Sequence, residues 1–113
     1  MATLSVRNIV LGSNVTDLAP DSAASGGDKF APGADVWIHA ANADGAATRT
    51  ITVATPGNVR GLPVDDLEIV VPISGIAVRG PFYPDVFAGS DGLASMTYDD
   101  ESDLTLGLWR LGQ

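Results

Sequence analysis

A chain of 113 residues holds one domain and not two. Its 14 acidic and 6 basic residues leave a formal charge of −8, a field that repels phosphate backbones and anionic headgroups, so nucleic acid and membrane surfaces are excluded as expected partners. Cysteine is absent, which excludes disulfides and thiolate metal sites.

Met1 to Leu11 alternates instead of forming an unbroken apolar run, so it predicts a strand and no secretion signal. Across residues 3–10, Leu4, Val6 and Asn8 share one face and Ser5, Arg7 and Ile9 the other. Residues 12–33 follow, rich in Ala, Ser, Gly and Asp and without periodicity. They are longer than a compact domain usually leaves structureless, which predicts a flexible arm or a loop ordered by a partner. A second strand, 35–42, puts Val36, Ile38 and Ala40 on one face and Trp37 and His39 on the other. With both faces partly apolar it reads as a central strand, or as one covered outside by a loop or a partner. Asp44-Gly45 in the following link predicts a hairpin turn with a positive-φ glycine, leading to a third strand, 48–55, that buries Ile51 and Val53 and exposes threonines.

Strand four, 66–72, stops at Pro72, and strand five, 76–82, runs into Pro81. Residues 83–88 fit one helical turn after Pro84. The Ser90-Asp91-Gly92 turn precedes strand six, 93–98, which an acidic turn at 99–103 joins to strand seven, 103–111. In that last strand Leu104, Leu106 and Leu108 face one way and Thr105, Gly107 and Trp109 the other. No stretch approaches the ~20 apolar residues of a membrane-spanning helix. Residues 1–113 are therefore read as a single all-β domain, an antiparallel, jelly-roll-like β-sandwich with a long irregular segment after the first strand. An immunoglobulin-like strand order is the alternative.

Little in the sequence points to catalysis or to a cofactor. The one histidine, His39, lies mid-strand with no nucleophile elbow and no second histidine, so an interior or interface role is expected for it. The run Asp99-Asp100-Glu101-Ser102-Asp103 is the best cation candidate, but it lacks the glycine and distal glutamate of an EF-hand, and a solvated acidic turn is the first expectation. Gly26-Gly27-Asp28-Lys29 has glycines beside a lysine without the strand–loop–helix setting of a phosphate cradle. The chain is accordingly read as no enzyme, with no cofactor and no metal. Trp37, Phe82, Tyr83, Phe87 and Trp109, with His39, are expected either to pack the core and its edges or to anchor a subunit interface. Trp109, opposite the leucine row, is the first choice of anchor.

Phe30-Ala31-Pro32-Gly33 stands before the strand that carries His39, and a threonine-rich strand closes in Thr55-Pro56. Gly61-Leu62-Pro63-Val64-Asp65 leads to Ile69-Val70-Val71-Pro72, and Gly80-Pro81-Phe82 and Leu108-Trp109-Arg110-Leu111 follow. In this order and spacing the stretch from Phe30 to Leu111 resembles a family of small virion proteins of tailed phages, encoded near the major capsid protein. The resemblance implies a capsid decoration, or cement, protein that binds and stabilises the outer surface of the shell. It implies the major capsid protein as partner, self-association as a homotrimer, and a place on the virion after synthesis in the host cytoplasm. A tail, connector or head-fibre protein is the alternative within the same resemblance. Exposed aromatics on a β-sandwich leave a carbohydrate- or cell-surface-binding module as a third expectation.

Overall fold

Short β-branched runs bounded by Gly, Pro, Asn and Asp cannot bury both faces alone, and here they stack as two sheets around one layer of side chains. The computed structural model describes residues 2–9, 17–56, 58–59, 62–63 and 65–111. Its strands are β1 (Ala2–Leu4), β2 (Val6–Ile9), β3 (Asp21–Ser22), β4 (Asp28–Phe30), β5 (Trp37–Asn42), β6 (Arg49–Val53), β7 (Asn58–Val59), β8 (Leu62–Pro63), β9 (Leu67–Val71), β10 (Ile76–Arg79), β11 (Ala94–Tyr98) and β12 (Leu104–Leu111). One helical turn, α1 (Pro84–Phe87), sits where proline at the first helical position favours it. The first sheet has the order β1-β4-β11-β6-β9 and the second β10-β5-β12-β2, with β3 also paired to β12; β7 and β8 form a separate ribbon. The fold is an all-β sandwich, and all seven expected strands are present with their ends shifted.

The alternation read from the sequence sets the inner faces. Val36, Ile38 and Ala40 lie beside the leucine row 104, 106 and 108 of the same sheet, and together they face Ile51, Val53, Ile69, Val71 and Met96 of the other, all buried. Each of the Val, Ile, Leu and Met side chains among them contributes about 1.5–3 kcal/mol on burial. Phe82 closes one end of the core, packing edge-on against Phe30 at 5.1 Å and Phe87 at 5.3 Å.

Four features differ from the sequence reading. First, the expected strand 3–10 divides at Ser5: β1 pairs in parallel with β4 in one sheet and β2 in parallel with β12 in the other. The antiparallel sheets are therefore mixed, and the crossing chain closes one lateral side of the sandwich. Second, the links from β5 to β6, β9 to β10 and β11 to β12 pass between sheets, so none of them is a hairpin. Third, Gly45 is not among the positive-φ residues, which among the described residues are Gly26, Gly27, Gly92, Ser74 and Asp103. The 42–47 link is held instead by side chains: Asn42 Oδ1 accepts from the Asp44 N–H at 2.9 Å and Asp44 Oδ1 from the Ala46 N–H at 2.8 Å. Fourth, residues 17–33 are not a free arm. They supply β3 and β4, and Asp28 and Phe30 are fully buried; the expectation for 12–16 falls outside the described residues.

Gly26 and Gly27 turn the chain into β4 and do not form a cradle. Gly27 lies at φ 100°, and a side chain there would meet the Met96 carbonyl.

Candidate docking surface

The outer face of the second sheet is laid out by cross-strand register. Ile76, Ala41, Thr105 and Ser22 form one row; Val78, His39 and Gly107 the next; Trp37, Trp109 and Arg7 the third. Leu18 lies over the second and third rows. Its carbonyl accepts from Trp109 Nε1 at 2.8 Å, and a side chain on Gly107 would collide with it. Arg7 pairs with Asp21 at 3.2 Å and fixes the same strap from β2. The expected interface anchors are therefore mostly internal. Trp109 is buried and stacks on the half-buried Trp37 at 6.5 Å, His39 is buried between Val78 and Gly107, Phe82 is in the core, and Phe87 is packed against it. Trp109 lies opposite the leucine row, as alternation requires, and the face it occupies is covered by Leu18. Of the named candidates Tyr83, half exposed, is the most open to solvent.

The exposed large apolar residues lie elsewhere. Among the described residues they are Val70, Ile73, Ile76, Val78 and Tyr83, four of them between β9 and β10. These two strands are the free edges of their sheets on the lateral side opposite the crossing at Ser5. The Asn42 N–H donates to the Gly75 carbonyl at 2.9 Å, so ladder alternation directs Ala77 and Arg79 toward β5. Ile76 and Val78 are left with side chains over the outer face and backbone groups toward the open edge. Nothing on this strand blunts the edge except Arg79 and Pro81 beyond it. Sequence reasoning missed this surface, because alternate apolar residues in a strand read equally well as core.

At the β10 start, three connections come together. Ala43 donates its N–H to the Asp103 carbonyl at 2.8 Å, Ser74 to the Asp44 carbonyl at 3.0 Å and Ala23 to the Leu104 carbonyl at 3.0 Å. Arg49, almost fully buried, ties the base: it donates to Asp44 Oδ2 at 2.8 Å and to the Ser102 carbonyl at 2.9 Å, and lies 3.7 Å from Asp100. Asp44 is held below the usual carboxylate range first by the Ala46 N–H and then by Arg49. Asp100 is lowered first by the Ser102 hydroxyl and then by the Ser102 N–H. These bonds frame a surface cleft of about 490 Å³ floored by Ala41 and Thr105, with Ile76 on one wall and Glu101 and Asp103 on another. The 99–103 run, the cation candidate whose first expectation is an acidic turn, is an inter-sheet turn whose Asp99 and Asp100 carboxylates serve backbone donors and Arg49. No group of three or more metal-ligating side chains is gathered among the described residues.

Comparisons with protein-family models, with curated proteins and with solved structures gave no match.

Proposed function

We propose that this chain is a non-catalytic docking protein, a decoration protein of a phage capsid that binds the outer surface of the shell through its β9–β10 side. The observation that supports it best is the exposed pair Ile76 and Val78 on the edge strand β10, with the exposed Ile73 just before it, in a domain of net charge −8. Such a patch, rimmed by polar groups, is the surface expected of a binding protein. The resemblance of residues 30–111 to small virion proteins supplies the kind of partner. Its motifs fall on contacts that specify the sandwich: Phe30 and Phe82 meet in the core, Gly33 bridges to Phe82, Gly80 lies against Trp37, and Thr55 donates its N–H to Asp66 at 3.0 Å. Gly61 and Val64 of the same motifs lie outside the described residues.

Co-sedimentation of the purified protein with undecorated heads tests the proposal. Saturable binding at a fixed ratio to the major capsid protein is expected, and the ratio reports the symmetry of the sites. Val78→Asp, which charges the patch without touching the core, should weaken it at least tenfold. A protein that stays in the supernatant while being present in whole virions would belong to the tail or connector instead.

A further inference from the structure

We infer that the cleft beside β10 is a receptor for a long basic side chain, arginine or lysine, presented by the partner. This rests on reading the β9–β10 side as the docking surface, and it names what that surface takes. The cleft has the two halves such a side chain needs. Ala41 and the exposed Ile76 offer an apolar lining for the aliphatic stem, and Glu101 and Asp103 stand at its wall for the charged head. Neither carboxylate makes a hydrogen bond or a close ion pair among the described residues, unlike Asp44, Asp91 and Asp100; Asp103 feels the Arg49 charge only at longer range, and Glu101 is the less committed of the two. The surrounding field has the matching sign. Asp44, Asp99, Asp100, Glu101 and Asp103 sit on two adjoining connections, and the guanidinium among them, Arg49, is buried and already engaged.

The walls are also built in advance. Each connection around the cleft is fixed to its neighbour by a backbone hydrogen bond, so little ordering is left for the moment of binding. A basic side chain in such a setting, beside the exposed Ile76 and with Val78 in the next row of the same edge strand, has the form of an interface hot spot. A second copy of this chain is a poorer occupant, because each copy carries −8. Its exposed Arg79 is the side chain through which that alternative would act.

The test is an NMR titration of the full chain with n-butylguanidinium and n-butylammonium, which carry the stem and head of the two side chains. Pentanoate, with a similar stem and the opposite charge, is the control. The cations should shift the amides of Ala41, Ile76 and Thr105, and pentanoate should not. In Glu101→Gln/Asp103→Asn, melting like the parent, the dissociation constant should rise at least tenfold; Glu101→Gln alone serves if the double variant misfolds. Equal binding of pentanoate, unchanged affinity in the variant, or shifts confined to other residues would overturn the inference. So would self-association of the parent, seen by sedimentation velocity and lost in both this variant and Arg79→Gln, since the occupant would then be a second copy. Failure to bind heads while the cations still fill the cleft would remove the capsid and leave the receptor standing.

Discussion

Gly107 and Trp109 show how one residue type can fix the position of a distant segment. The Leu18 carbonyl occupies the space where a Gly107 side chain would be, and from there it receives the indole N–H of Trp109. Gly107→Ala should therefore cost about 1–3 kcal/mol, the usual penalty of overpacking. Trp109→Phe keeps most of the packing and loses the hydrogen bond, about 1 kcal/mol, whereas Trp109→Ala empties a buried site and should cost about 3–5 kcal/mol. Chemical denaturation of the three variants checks the order; a silent Gly107→Ala would mean the strap does not lie over β12. Tyr98 offers a different test. Burial first, and then its hydrogen bond to Asp28 at 2.5 Å, push the phenol's pKa well above its ordinary value. A pKa raised in the folded state stabilises fully below the unfolded value, about 10, and that stability is lost as pH climbs beyond it. The melting temperature should fall between pH 9 and 11 in the parent, and less steeply in Tyr98→Phe.

At the scale of elements, Arg49 has the widest reach. Placed at the start of β6, it joins the β5–β6 connection to the β11–β12 connection, which lie in different parts of the sequence and cross between sheets. Arg49→Met should lower the melting temperature at pH 7. It should also flatten the acid limb of the stability curve. The lowered carboxyls of Asp44 and Asp100 contribute stability above the unfolded carboxylate value, about 3.9, and lose it as pH falls through their lower folded values. Melts from pH 2 to 6 should show that loss in the parent and a smaller one in the variant. This arginine also marks where the sequence stops being legible. Alternation identified seven strands and their inner faces, because period-2 burial is a local property. Alternation puts Arg49 in register with the buried Ile51 and Val53, but nothing local in the sequence shows that acidic turns satisfy it there. It reads two inter-sheet links, 42–47 and 99–103, as ordinary turns, since Asp-Gly and acidic runs serve hairpins and arches alike. The short strands β3 and β4 carry no periodicity, and only their pairing with β12, β1 and β11 makes them strands. The interface candidates were chosen as large aromatics, yet most were drawn inside. What remained outside was Ile76 and Val78, whose exposure depends on β10 being an edge.

For the whole molecule, the two lateral sides are unlike. The chain crossing at Ser5 covers one, and β9 and β10 leave the other with free backbone groups and apolar side chains. Such an edge is a template for pairing with another chain, and on this molecule it is opposed by charge. At pH 7 each copy carries −8, so approach of two copies is repelled, most strongly at low ionic strength. The repulsion vanishes near the isoelectric point, about 4.1. Light scattering in dilute buffer should therefore rise steeply as pH falls from 7 toward 4, and added salt should raise it at pH 7 as well. Acid unfolding would also produce scattering, and Val78→Lys separates the two causes. The substitution lies on an exposed edge and leaves the core unchanged, so melting at each pH should match the parent, while a lysine on the free edge should suppress the association. If Val78→Lys scatters as the parent does at matched net charge, the association runs through another surface and the β9–β10 side is not the adhesive one.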